Sequence, residues 1–213
     1  HMVLLCKNET GYRNLSYMVS QAYIEGFYIK PRIDLDLLRE HSEGLIGLSA
    51  CLAGEIPRRI INGDYDGAKA YALELSSILG EDNFYLELQD HGIADQTTVN
   101  RALLRMHNET GIPMVCTNDA HYLRKEDAES HDVLLCIQTG KTVDDENRMR
   151  YEPQNFYLRS TEEMEALFSG YPDAVENTQR IADRCQLEFT FGKYHLPEFK
   201  LPPGYDSPTY LRK

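Results

Sequence analysis

Phe84-Tyr85-Leu86-Glu87-Leu88 is a short β-rich apolar run; a helical pattern follows from Thr98 to Asn108, and then a second run, Pro113-Met114-Val115-Cys116-Thr117. Strand, helix and strand of these lengths make one crossover unit of a parallel sheet. The alternation continues outward in both directions. Earlier runs stand at Met2 to Cys6 and Leu45 to Ala50. Amphipathic helices are predicted from Gly11 to Ala22, with Tyr12, Leu15, Val19 and Ala22 on one face, and from Asp66 to Leu79, with Ala68, Ala72, Leu75 and Leu79. Further helices are expected from Glu126 to Cys136, Thr161 to Leu167 and Pro172 to Cys185, with Ser160 or Thr161 as an N-cap and Pro172 in a first turn. The fold class is α/β. Four strands are too few to close a barrel, and a sheet that starts at residue 2 leaves its first partners unaccounted for, so N-terminal strands are expected to be missing.

The 213 residues fit one large domain or two small ones, with 42% hydrophobic and 26% charged residues as in an ordinary globular chain. Lys and Arg number 22 against 34 Asp and Glu, a net charge of −12. The molecule as a whole therefore repels a phosphate backbone, and any DNA contact must be local or made by a partner. Cys6, Cys51, Cys116, Cys136 and Cys185 form no CxxC pair and are odd in number, which argues against a disulfide framework and for a reducing cytoplasm. No apolar run has the length of a membrane span and no secretory pattern opens the chain. His1-Met2 resembles a vector remnant, so the chain is read as a cut piece. Phe191 to Ser207 holds Pro197, Pro202 and Pro203, with Pro208 next; residues 191–213 are assigned to an extended connector and 1–190 to the domain proper.

Functional side chains in α/β sheets gather past the carboxyl ends of strands. Three successive exits here carry Cys51, then Asp90 and His91, then Asp119 and His121. An extended Asp-x-His places Asp119 and His121 on one side, able to meet one cation of the zinc, manganese or iron type. The same residues also suit a helix cap and a packed loop. Cys51 reads as packing by composition and as a ligand by position. His91 is either a donor supporting ligands from behind or an ordinary loop histidine. Cys6, Cys116, Cys136 and Cys185 are expected to be inert core, and His41, His107 and His131 solvated surface; His195 falls in the connector. Asp144-Asp145-Glu146 reads as a charged loop. Rossmann, P-loop, GxSxG and HExxH signatures are absent.

Leu5-Cys6-Lys7-Asn8-Glu9-Thr10-Gly11-Tyr12-Arg13-Asn14-Leu15, Leu48-Ser49-Ala50-Cys51-Leu52-Ala53-Gly54-Glu55-Ile56-Pro57, Tyr85-Leu86-Glu87-Leu88-Gln89-Asp90-His91-Gly92, Thr117-Asn118-Asp119-Ala120-His121-Tyr122 and Asp132-Val133-Leu134-Leu135-Cys136-Ile137-Gln138-Thr139-Gly140-Lys141 together resemble one family. It is the polymerase and histidinol phosphatase (PHP) domain of the bacterial replicative DNA polymerase III alpha subunit, and the likeness covers nearly the whole chain in order. The resemblance implies a distorted seven-stranded (β/α) barrel, here partial, with a metal cluster at strand carboxyl ends. It places ligands on Cys51, Asp119 and His121, and on His1 provided that residue is native. The family's His-x-His-x-His-Thr strand, its Thr-Asp-His motif and the following glutamate do not occur, so most ligands are missing.

The resemblance further implies a DNA-directed DNA polymerase (a nucleotidyltransferase) as parent, acting in DNA replication with DNA and other replicase subunits as partners, and a palm lying beyond Lys213. In the intact domain a divalent zinc, manganese or iron would support 3′ to 5′ exonuclease chemistry, a phosphoesterase reaction. The segment alone is expected to be inactive, and whether it keeps a metal is left open. The alternative is a non-catalytic structural and interaction module. A free-standing histidinol-phosphatase-like enzyme fits less well, because Leu134 to Lys141 and the Pro-rich exit near Pro202 resemble the polymerase branch. Unpaired strand edges left by truncation are expected to favour a dimer.

Overall fold

The computed structural model describes residues 1–194, 196 and 199–212. His195 and Pro197 of the expected connector lie outside the described residues. Four strands, β1 (Val3–Cys6), β2 (Leu45–Leu48), β3 (Phe84–Leu88) and β4 (Met114–Cys116), form one sheet in the order β1-β2-β3-β4. The helices are α1 (Glu9–Ile24), α2 (Leu35–Glu40), α3 (Glu55–Ile61), α4 (Tyr65–Leu79), α5 (Ala94–Thr110), α6 (Ala128–Thr139), α7 (Thr161–Leu167), α8 (Pro172–Arg184) and α9 (Ser207–Leu211). A short 3₁₀ turn, Lys125–Asp127, leads into α6.

Side chains alternate across the sheet as strand geometry requires. Leu45, Phe84, Leu86, Leu88, Met114 and Cys116 join the main core with Met18 of α1, Ile56 of α3, Leu75 of α4 and Leu103 of α5. Ile46, Leu48, Tyr85 and Val115 face the other way and meet Ile181 of α8. Helices thus cover both faces of β2 to β4, whose residues are all buried. This is what a near-continuous apolar run in a parallel sheet demands.

The expectation of a parallel sheet holds for β2, β3 and β4 but not for β1, which pairs antiparallel with β2 in the register Val3↔Leu48 to Cys6↔Leu45. An apolar run reports burial and carries no direction. In the structure β1 is the less buried edge strand, and antiparallel edge strands are common on otherwise parallel sheets. Where α1 leaves β1, Gly11 touches the turn before β2; a Cβ there would lie 2.0 Å from the Gly44 oxygen. This contact turns Gly11, Met18 and Ala22 inward, whereas Tyr12 and Val19, assigned to the packed face, are exposed.

The helices expected over Asp66–Leu79 and Thr161–Leu167 form where the pattern put them, and Ser160 caps α7 through the Glu163 N–H. α2, α3 and α9 are too short to show a period and had no counterpart in the pattern. Among the cysteines assigned to the core, Cys116 and Cys136 are buried, while Cys6 and Cys185 are half-buried at the sheet margin. The three histidines assigned to open surface are all half-buried. His41 packs at a tilt against Tyr17 with ring centroids 4.5 Å apart and His107 Nδ1 lies 2.7 Å from the Ile112 carbonyl, because a flat imidazole beside a helix end covers apolar surface while a ring nitrogen stays bonded.

Candidate functional site at the strand exits

Because β2, β3 and β4 are parallel, their exits at Ser49–Cys51, Gln89–His91 and Thr117–His121 open on one edge of the sheet. The reversed β1 brings its amino end to that same edge. Val3 pairs with Leu48, so His1 arrives beside Cys51, with Nδ1 4.0 Å from Sγ. Asp119 Oδ1 and His121 Nε2 lie 3.3 Å apart. Cys51 and Asp119 both line a cleft of about 300 Å³, together with Gln89, Arg150, Tyr151 and Phe156. The Tyr151 phenol is pushed up, first by burial and then by the negative charges of Asp119 and Cys51. The four ligand candidates therefore reach this rim as two pairs. Among the described residues no three His, Cys, Asp or Glu side chains close around a single point.

The turn that delivers Cys51 is strained. Ala50 sits at φ 63°, in the left-handed region that a Cβ disfavours. Its N–H donates to Glu87 Oε2 at 2.8 Å. Gly54 closes the turn by donating to the Cys51 carbonyl at 2.8 Å, and a Cβ on it would lie 2.5 Å from the Ser49 oxygen. Glu87 itself is buried in the interior strand β3. It also accepts from Gln89 Nε2 at 3.1 Å and from Thr117 Oγ1 at 2.5 Å. Burial pushes its carboxyl above the usual range, against the pull of those hydrogen bonds.

His91 is fully buried and stacks on Phe156 at 4.4 Å. Gln96 Oε1 accepts from the His91 backbone N–H at 2.8 Å, which turns the Gln96 amide nitrogen toward His91 Nδ1 at 2.9 Å. Nδ1 is then the acceptor, and the neutral ring carries its proton on Nε2. Burial, followed by the nearby Arg159 charge, pushes the ring's pKa down and favours that neutral form. In this tautomer His91 is a hydrogen-bond donor and not a ligand.

Several residues here were not singled out from the sequence. His131, on α6, joins a ring cluster with His121 at 5.8 Å, Tyr122 at 5.2 Å and Tyr151 at 5.2 Å. Tyr151 and Phe156 arrive from an irregular segment that gives no periodic signal. Glu87 had one, a carboxylate inside an otherwise apolar strand, where an ionisable group must have partners.

The donor types fit a borderline divalent cation: a thiol and a carboxylate line one cleft, each with an imidazole beside it. Gln89 Oε1 and His91 Nε2 add buried polar atoms with no protein partner at the same rim.

Residues 1–91 match the PHP domain family. The chain is 46% identical over 208 residues to DNA polymerase III subunit alpha of Borreliella burgdorferi, 44% over 207 residues to that of Treponema pallidum and 45% over 222 residues to that of Thermus aquaticus. These matches cover 97%, 97% and 100% of this chain. The chain spans about 18% of the length of each of these relatives.

Proposed function

We propose that this chain belongs with the PHP region of bacterial DNA polymerase III alpha subunits and serves in a cytoplasmic, DNA-directed DNA polymerase during replication. DNA and other replicase subunits are its partners through the longer protein. The four-stranded sheet is read as part of a distorted PHP-type barrel, with 1–190 in that domain and 191–213 leading towards the polymerase palm. Among the described residues no helix is long and apolar enough to cross a membrane.

We further propose that the rim holds a divalent zinc, manganese or iron through Cys51, Asp119 and His121, and through His1 provided that residue is native, in support of 3′ to 5′ phosphoesterase chemistry. A bound cation would supply Lewis-acid polarisation of a phosphodiester and activation of water. Asp119 sets the orientation of His121, His91 offers a proton donor behind the rim, and Tyr151 and Phe156 limit water around the donors. Thiolate and neutral imidazole are the binding forms, so affinity falls in acid. The observation that carries this reading is the meeting of Cys51 and Asp119 at one cleft, each with a histidine beside it. Equilibrium dialysis of the chain against zinc or manganese, with Asp119→Asn alongside, tests it. Unchanged uptake in the variant would overturn the assignment.

A second reading, a non-catalytic module that buttresses the polymerase, is favoured by the exposed Leu134 and Ile137 on α6 and by the net charge of −12. Loss of metal and stability with no loss of exonuclease activity in the full-length protein would support it.

A further inference from the structure

Among the described residues Glu87 is the one buried carboxylate; it stands at the rim, and the proposed chemistry leaves it unused. Its two oxygens collect a donor from each of three strand exits: the Ala50 N–H after β2, Gln89 Nε2 after β3 and Thr117 Oγ1 after β4. Thr117 Oγ1 accepts from Gln89 Nε2 at 3.1 Å, which directs its own proton to Glu87. The Glu87 backbone N–H donates to Ser49 Oγ at 2.8 Å, a second tie to the β2 exit. Three donors need an acceptor-only group, and an amide of the same shape has a single oxygen and two N–H of its own.

We propose that Glu87 is a positioning residue: its carboxylate gathers the three strand exits and holds Ala50 in the left-handed region, so that Cys51 is presented to the cleft. The inference rests on the reading of Cys51 as a rim ligand and adds the group that places it. Without the carboxylate, the Ala50 N–H would face an amide nitrogen or nothing, and the strained turn would relax. A glycine at position 50 has no such strain and should keep the turn without help.

The test is the rate at which iodoacetamide alkylates Cys51 in the native 213-residue chain, read by peptide mass spectrometry with buried Cys116 as internal reference. Zinc uptake by dialysis is measured in parallel. Glu87→Gln should raise the Cys51 rate about tenfold, the effect of losing one charge-assisted hydrogen bond, with Cys116 unchanged. Adding Ala50→Gly should bring the rate back to within about twofold of the parent, since glycine removes the strain. Adding Asp82→Gly, which relieves a left-handed residue at φ 58° elsewhere, should not. A parent-like rate in Glu87→Gln, or equal rescue by both glycines, overturns the proposal. If Glu87→Gln alone does not fold, folding of the Ala50→Gly double variant but not the Asp82→Gly one supports it, and the same outcome for both overturns it. Absence of zinc uptake by the parent chain counts against the metal reading, while the thiol rates still decide the role of Glu87.

Discussion

Two glutamates mark two regions that treat a carboxylate in opposite ways. On the helical flank, Glu109 of α5 accepts from Lys69 at 3.0 Å, Arg105 at 2.7 Å and Tyr65 at 3.0 Å. The Lys69 and Arg105 hydrogen bonds lead in holding its carboxyl down at about 2. At the rim, Glu87 is surrounded by neutral donors, and burial pushes it up. Cations stabilise the ionised form of the first. The second keeps a burial penalty that its hydrogen bonds reduce, in return for fixed geometry at three strand ends. Among the described residues the rim also holds the buried side-chain atoms without partners, Gln89 Oε1 and His91 Nε2, and one of the three non-glycine residues in the left-handed region, Ala50. Unpartnered buried atoms and a strained turn thus meet where ligand candidates sit, a pattern associated with functional sites.

If rim and scaffold are separate in this sense, chemistry and stability should respond to different substitutions. Asp119→Asn removes a partly exposed oxygen donor and should lower zinc affinity by more than about 100-fold, with little change in the melting temperature. Dialysis and calorimetry on the same samples check both halves. A large loss of stability would break the distinction. Leu86→Ala does the reverse. Leu86 is fully buried in the interior strand β3, and its truncation should cost about 3 kcal/mol in urea unfolding.

How much of this was legible follows from which residues advertise themselves. Periodicity located all four strands and the long helices, because burial on a sheet or a helix face forces a repeat. It could not give the direction of β1, and with it the reason His1 reaches Cys51. The strand-exit argument led to Cys51, His91, Asp119 and His121, since position after an apolar run is a one-dimensional property. It missed Glu87, which lies within its strand, and Tyr151, Phe156 and His131, whose meeting depends on how an irregular segment crosses the rim. Gln96, which sets the His91 tautomer, is five residues along on α5 and has no sequence signature of its own.

A smaller effect tests whether α8 belongs to the scaffold. Asn177 is buried and donates to the Met114 carbonyl on the free edge of β4 at 2.7 Å, which satisfies an acceptor that an unpaired strand would otherwise offer to a second chain. Asn177→Ala should lower stability by about 1–2 kcal/mol in urea unfolding. Sedimentation of the same variant should show more self-association than the parent, because the edge acceptor is uncovered. Parent-like stability would place α8 outside the cooperative unit.

The smallest change is expected on the flank, and its sign separates the two glutamates. The Glu109 carboxyl lies below its ordinary 4.5 in the folded state, so its contribution to stability is present above about pH 4.5 and is lost as pH falls towards 2. Glu87 is shifted the other way, so protonation relieves its burial penalty and its contribution improves as pH falls. Glu109→Gln should therefore flatten the acid limb of the melting-temperature profile between about pH 4.5 and 2. Its loss relative to the parent should be greatest near neutrality and vanish in acid. The zinc affinity of the rim should not move at pH 7, because Glu109 touches none of the strand exits. A variant that changed the rim's affinity as much as its own acid limb would show that the flank network reaches the site through α5, and the two regions would have to be treated as one.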